Sequence, residues 1–127
     1  MAEILFEELS YKVIGAAIEM HKILGPGFLE TVYEKAMVYE MTLRGIPFEE
    51  QKPLPVYYKG QLIGEYYADF VIDGKIIVEL KAVSQMVKAF EAKAIHYLTA
   101  TGFELAILIN FGTSSLQQER IVRQKKA

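Results

Sequence analysis

The 127-residue chain contains no cysteine, no long apolar run and no excess of basic residues. Without cysteine, disulfide bonds and thiolate metal sites are excluded, so a reducing cytoplasm is the expected location. No apolar stretch approaches the ~20 residues that cross a bilayer, so no membrane partner is expected. The first ten residues, MAEILFEELS, carry acids where a secretory signal carries basic residues, so no export signal is predicted.

The formal net charge of −2 gives no support to a dedicated, strongly basic DNA-coating protein. A nuclease is not excluded, because acidic metal ligands offset basic contacts and bound cations restore positive charge locally. Hydrophobic residues make up 52% and charged residues 24%, which is typical of a globular protein with an ordinary core. The length predicts one domain covering residues 1–127.

The spacing of apolar residues predicts the fold class. Helical spacing covers 5–24 and 29–44, and Gly25-Pro26-Gly27 separates the two helices. In the second helix we expect the inner stripe to consist of Val32, Ala36, Tyr39 and Leu43.

Further along the chain, the period changes from helix to strand and back. Strands are predicted over 48–58, 61–72, 75–82 and 103–111, with a helix over 85–100 and a last short strand near 119–123. The two prolines in 48–58 predict an edge strand, and the continuous apolar run in 103–111 predicts a strand covered on both faces. The prediction is an α/β protein with a mixed central sheet flanked by helices.

The stretch DFVIDGKIIVELKA, residues 69–82, carries ionisable residues in an otherwise aliphatic hairpin. Because side chains alternate along a strand, Glu79 and Lys81 share one face. A two-residue turn would place Asp69 on the opposite face. A three-residue turn with Gly74 in a left-handed bulge pairs Val71 with Lys75 and places Asp69 diagonal to Glu79 on the same face. We predict the three-residue turn.

Two carboxylates at one point repel unless a proton or a cation neutralises them. All-oxygen ligation suits Mg²⁺ or Mn²⁺, which lowers the pKa of a bound water and so prepares it to attack a phosphodiester. Lys81 would then position that water or stabilise charge on the phosphate. The simpler interpretation is a hairpin whose Glu79 and Lys81 are solvated or paired at the sheet edge.

The spacing of Asp69, Glu79 and Lys81 resembles the PD-(D/E)XK nuclease superfamily, whose core has the same order of elements. In GPGFLETVYEKAMVYEMTLRG, Gly27, Glu30 and Tyr33 fit the G-x-x-E-x-x-Y pattern of a small bacterial family usually assigned to that superfamily. The resemblance implies a restriction-endonuclease-like αβββαβ core.

It also implies site residues. Asp69 and Glu79 would bind the divalent metal, Lys81 would be the catalytic lysine, and Glu30 would support the metal directly or through water. Independently, a carboxylate in the first turn of a helix is favoured by the helix dipole. The Tyr33 hydroxyl would reach Glu30 or a phosphate, and a buried core aromatic is an equally weighted alternative.

Several relatives carry a glutamine on the helix after the catalytic strand, four residues before a tyrosine. Here the tyrosine is Tyr97 and Lys93 stands at the glutamine position. Lys93 would replace the phosphate contact or weaken the metal site. Gln85, close after Lys81, is a further expected phosphate contact.

Four tyrosines, Tyr57, Tyr58, Tyr66 and Tyr67, lie on two paired strands. Cross-strand packing is the expected role, and base stacking is the alternative.

The leading hypothesis is a small Mg²⁺-dependent nuclease that acts on DNA in preference to RNA. Cutting both strands would require a partner, and a two-fold homodimer is the commonest assembly. The second hypothesis is a catalytically weak or inactive module of the same fold that binds nucleic acid or a protein. A hydrolase of another phosphoester or of a nucleotide is the third.

Overall fold

The computed structural model describes residues 4–123. Within that range there are three helices and five strands, in the order α1 (Glu7–Leu24), α2 (Glu30–Leu43), β1 (Phe48–Tyr58), β2 (Gln61–Ile72), β3 (Ile76–Lys81), α3 (Lys88–Thr101), β4 (Leu105–Asn110) and β5 (Gln117–Val122). No helix in this part of the chain is long and apolar enough to cross a membrane.

The strands form one mixed sheet in the order β1-β2-β3-β4-β5. β3 and β4 are parallel and are connected through α3, and every other neighbouring pair is antiparallel. The predicted α/β class and the core order α2-β1-β2-β3-α3-β4 are confirmed. β1 lies at an edge, and all six residues of β4 are buried, as its continuous apolar run predicts.

Alternation along the central strands divides the core into two halves. On one face, α1 and α2 cover Phe70, Ile72, Val78, Leu80 and Ile107. On the other face, α3 contributes Ala94 and Leu98, which pack on Val71, Ile77 and Leu108. Glu79 and Lys81 occupy the α3 side of β3, because they alternate with Val78 and Leu80.

The predicted inner stripe of α2 is wrong. Tyr39 and Leu43 are 67% and 65% exposed, whereas Tyr33, Met37 and Met41 are fully buried. Both sets of residues have helical spacing and lie on adjacent stripes, so periodicity does not choose between them. The stripe that faces α1 and the sheet is the one with Met37 and Met41, whose flexible side chains adapt to an irregular core.

The predicted register of the β2–β3 hairpin is also wrong. Ile72 pairs with Ile76, and Val71 pairs with Ile77 rather than Lys75. Asp73 and Gly74 both have positive φ, 49° and 65°, and the Lys75 N–H donates to the Ile72 carbonyl at 2.9 Å. These are the features of a two-residue turn followed by one extra residue, Lys75.

Compared with the prediction, this turn moves the residue across from Asp69 from Ile77 to Glu79. A shift of two residues leaves Asp69 on the predicted face of the sheet. The paired residues of β2 and β3 end at Phe70 and Val78. Asp69 and Glu79 therefore stand side by side, each one residue beyond the last pair.

Candidate functional site

The two acids replace the backbone ladder where β2 and β3 separate. Asp69 Oδ2 accepts a hydrogen bond from the Leu80 N–H at 2.8 Å, and Glu79 Oε1 accepts one from the Asp69 N–H at 3.4 Å. Each carboxylate thus binds a backbone group of the opposite strand. Both side chains are half-buried, so a solute can still reach the pair.

β2 changes faces at this point. Tyr66 and Ala68 pack on the α3 side of the sheet, whereas Phe70 and Ile72 pack on the α1–α2 side, although strict alternation would put all four on one face. The break falls at Asp69, and the facing strand is irregular at the same level, where Gln51 has a φ of 49°. This local twist turns Tyr66 towards Glu79.

Gln51 links the pair to α2. Its amide nitrogen donates to Asp69 Oδ1 at 3.3 Å and to Glu34 Oε1 at 3.1 Å. A non-glycine residue with positive φ inside a strand is a costly conformation that the surrounding structure must enforce. The strained backbone of Gln51 therefore supports a contact with Asp69 that a regular strand would not make.

Tyr66 contacts Glu79 directly. Its hydroxyl donates a short hydrogen bond to Glu79 Oε1. Its ring stacks on Tyr97 of α3, with centroids 3.5 Å apart and planes 10° from parallel. Tyr66 is only 8% exposed, so α3 and β3 together define its orientation.

The acid pair changes the protonation of Glu79. Burial, followed by the charge of Asp69, raises the pKa of Glu79 to about 8, and hydrogen bonds from Tyr66 and the Asp69 backbone oppose the rise. Burial, followed by the charge of Glu79, raises the pKa of Tyr66, so its hydroxyl stays protonated as a donor. A carboxyl with a perturbed pKa beside a second acid is typical of functional sites.

Glu30 is linked by charge to Asp69 and to Lys81. Glu30 is the first residue of α2. Burial and then the charge of Asp69 raise the pKa of Glu30, while the charge of Lys81 lowers it. The Lys81 ammonium lies 4.5 Å from the centre of the Phe90 ring, a cation–π contact with α3.

The G-x-x-E-x-x-Y pattern forms the start of α2. Gly27 has a φ of 111°, which residues with a Cβ rarely adopt. The Tyr33 hydroxyl donates to the Gly25 carbonyl at 2.5 Å and accepts from the Phe28 N–H at 3.3 Å. These contacts fix the turn from which Glu30 begins the helix.

Of the two roles left open for Tyr33, the structure supports the core aromatic. The side chain is fully buried, and its ring stacks on Phe111 with centroids 4.6 Å apart. Its hydroxyl bonds the Gly25 carbonyl and the Phe28 N–H. In this structure Tyr33 supports the turn before Glu30, and its substrate-binding role stays a prediction.

The other expected substrate contacts are on or near α3. Lys93 and Gln85 are exposed, Lys93 on the helix and Gln85 in the segment before it, since α3 begins at Lys88 rather than at 85. Tyr97 is half-buried and stacks on Tyr66. It therefore contacts the site through a second tyrosine.

The expected cross-strand packing holds for Tyr66, which pairs with Leu54 of β1 in the same half of the core. Tyr57 and Tyr58 face Leu62 and Gln61 in the register and are exposed. Tyr66 stacks on α3, and the Tyr67 hydroxyl donates to Glu65 on the exposed side of β2 at 3.0 Å. The positions of Tyr66 and Tyr67 differ because adjacent strand residues point to opposite faces.

The segment after Lys81 is held by Asn110, which is fully buried. Its side chain accepts from the Val83 N–H and donates to the Val83 carbonyl, both at 3.0 Å. It also accepts from the Gly112 N–H at 3.0 Å. A buried amide with these partners fixes the position of the chain that leaves β3.

The donor set matches a hard divalent cation in part. Within residues 4–123, no group of three or more His, Asp or Glu side chains could hold a metal ion. Asp69 and Glu79 supply two adjacent carboxylates, and Glu30 interacts by charge with Asp69. Mg²⁺ commonly takes one or two carboxylates and completes its octahedron with water and substrate phosphate, so the pair fits such an ion.

Three contributing residues were not predicted from the sequence. The sequence predicts cross-strand packing for Tyr66 and no role for Gln51 or Asn110. Strict alternation places Tyr66 and Asp69 on opposite faces of the sheet. Nothing in the local sequence indicates the twist that brings Tyr66 to the face of Glu79. The polar Asn110 at the end of an apolar run was the one visible signal, because a buried amide requires specific partners.

Comparisons with known proteins bear on the family and the fold. The family model described as the PD-(D/E)XK nuclease superfamily matches residues 7–124. No curated protein sequence matches the chain. The crystal structure of a protein called SSO0001 superimposes with a TM-score of 0.59 at 14% identity, over 94% of this chain and 63% of that chain. The chain therefore spans less than two thirds of that protein, and at this identity the similarity shows the fold alone.

Proposed function

Because the chain belongs to the PD-(D/E)XK nuclease superfamily, we propose that it is a divalent-metal-dependent nuclease that hydrolyses phosphodiester bonds, in DNA rather than RNA. The observation that supports this proposal is the contact between Asp69 and Glu79 where β2 and β3 separate. We further assign the chain to the GxxExxY family, because Gly27 and Tyr33 build the turn that presents Glu30.

In this proposal Asp69 and Glu79 hold Mg²⁺ or Mn²⁺, and Glu30 supports the ion through water. The chemistry that a bound ion supplies is positive charge beside the phosphate and a more acidic water. The raised pKa of Glu79 is consistent with this assignment, since a cation would relieve the repulsion that burial and Asp69 create.

Lys81 is the proposed catalytic lysine. Its ammonium lies against the Phe90 ring, and in this proposal it orients the attacking water or stabilises negative charge on the phosphate oxygens. Attack by water on phosphorus breaks one P–O ester bond and leaves one hydroxyl end and one phosphate end. Lys93, on α3, and Gln85, in the segment before it, are exposed and are proposed phosphate contacts.

A non-catalytic module that binds nucleic acid or a protein is the second candidate. Two observations favour it: Lys93 stands where relatives carry glutamine, and no three-acid group is found in the described part of the chain. A hydrolase acting on another phosphoester or nucleotide shares the same site chemistry. A two-fold dimer, a cytoplasmic location and a single domain over 1–127 stay predictions.

The test incubates supercoiled DNA, single-stranded DNA and RNA with the protein and Mg²⁺ or Mn²⁺. We expect cleavage of DNA that EDTA abolishes and that Glu79→Ala and Lys81→Ala each reduce ~100-fold or more. Lys59→Ala, at an exposed turn, is the matched control and should cut normally.

Each rival predicts a different result. Binding of nucleic acid without cleavage would favour the module. Competition by mononucleotides, together with their hydrolysis, would favour the third candidate. Cleavage that persists in Glu79→Ala and Lys81→Ala would contradict the proposed site.

A further inference from the structure

The hydrogen bonds to Glu79 converge on one of its two oxygens. Both the Tyr66 hydroxyl and the Asp69 N–H donate to Oε1. No hydrogen bond to Oε2 is found within residues 4–123. Both donors therefore hold the carboxylate by Oε1, whereas Oε2 has no N–H or O–H donor among these residues. The Asp69 carboxyl also contacts the Glu79 carboxyl, and this contact contributes to the raised pKa of Glu79.

Tyr66 cannot easily turn away from this contact. Its ring lies almost parallel to Tyr97 of α3 and is nearly buried on the same side of the sheet. The twist of β2 at Asp69 places Tyr66 on that side, although alternation would place it on the opposite face. The twist of β2 and the stacking on Tyr97 of α3 together direct the Tyr66 hydroxyl towards Glu79.

From this geometry we infer that Tyr66 is a positioning residue that holds Glu79 beside Asp69 with Oε2 free for a cation, and that Tyr97 acts on the site by holding Tyr66. Two adjacent carboxylates repel, so without a donor Glu79 would rotate away from Asp69. The inference rests on the proposed function, since it takes Glu79 as a metal ligand.

The same contact gives Tyr97 a role that differs from phosphate binding. Within residues 4–123, no hydrogen bond joins Tyr97 to Glu79. It covers the face of Tyr66 instead. Outer groups that orient a metal ligand typically change metal affinity 10- to 100-fold when removed.

The direct test measures Mn²⁺ binding by isothermal titration calorimetry without nucleic acid. Tyr66→Phe removes the hydroxyl and keeps the ring, and it should weaken binding ~10-fold or more. Tyr67→Phe is the matched control: it removes the bond to Glu65 from the next residue of the strand, on the exposed side, and should bind like the wild type. Equal or tighter binding by Tyr66→Phe would overturn the inference.

The part played by α3 is tested with two variants of one residue. Tyr97→Phe keeps the stacking ring and should bind Mn²⁺ like the wild type. Tyr97→Leu removes the ring and should weaken binding several-fold, in the same direction as Tyr66→Phe. If Tyr97→Leu folds and binds normally, the role assigned to Tyr97 is wrong.

A second measurement separates this inference from the proposed function. If the wild type does not bind Mn²⁺, the proposed metal site fails. The coupling of Tyr66 to Glu79 is then measured by urea unfolding in EDTA of Tyr66→Phe, Glu79→Ala and the double variant. Non-additive effects would support the positioning contact, and additive effects would overturn it.

Discussion

Replacing Glu79 with glutamine should stabilise the protein in alkaline solution. Glutamine has nearly the same shape, and its oxygen can still accept from the Tyr66 hydroxyl and the Asp69 N–H. It carries no charge, so it removes both the desolvation cost and the repulsion from Asp69.

The size of the effect follows from the pKa of Glu79, which rises from 4.5 to about 8 in the folded protein. A carboxyl whose folded pKa is raised contributes stability below its unfolded pKa and loses it as pH rises through the folded value. A rise of that size corresponds to roughly 5 kcal/mol as an upper limit. Most of Glu79 is buried and solvent screens the exposed part, so we expect about 2–3 kcal/mol.

The assay is urea unfolding in EDTA at about pH 4 and about pH 9. Wild type and Glu79→Gln should be nearly equal in free energy of unfolding near pH 4, where Glu79 is protonated in both the folded and the unfolded state. Near pH 9 the variant should be the more stable by the amount above, whereas Glu65→Gln, at an exposed position, should follow the wild type. A Glu79→Gln protein that is no more stable than wild type near pH 9 would refute the reasoning.

Two further substitutions test the backbone of the fold. A Cβ on Gly112 would overlap the backbone of Val83, so Gly112→Ala should lower the free energy of unfolding by about 2–3 kcal/mol. A Cβ on Gly64 would meet nothing within 4 Å, so Gly64→Ala should change it far less, and equal unfolding midpoints of the two variants in thermal melts would contradict this. Lys59 and Gly60 have φ values of 48° and 79°, so Lys59→Asn should stabilise the turn by about 0.5–1 kcal/mol, and a lower melting temperature would count against that assignment.

Most of the fold was predictable because its elements are marked by local chemistry. Gly25-Pro26-Gly27 separates α1 from α2, and the apolar run of β4 can only belong to a strand with both faces covered. The face of α2 was not predictable in the same way. Its sequence offers two adjacent apolar stripes, and the choice of Met37 and Met41 over Tyr39 and Leu43 depends on what α1 and the sheet present to it.

At the candidate site, strand alternation predicts which face the residues occupy but not the type of turn. Alternation along the strands and a hairpin with an odd number of loop residues together place Asp69 on the face of Glu79 and Lys81, and a register error of two residues leaves that face unchanged. The turn itself was mispredicted, since the positive φ of Asp73 depends on a small energy difference between hairpin types.

The environment of the acids depends on one irregularity. Strict alternation would direct Tyr66 away from Glu79 and leave the carboxylate pair without its hydroxyl donor. The twist at Asp69, matched by the positive φ of Gln51 on the neighbouring strand, reverses that direction and also brings the Gln51 amide to Asp69. The acids can thus be located from the sequence, whereas the groups that orient them depend on a strained backbone that two strands enforce together.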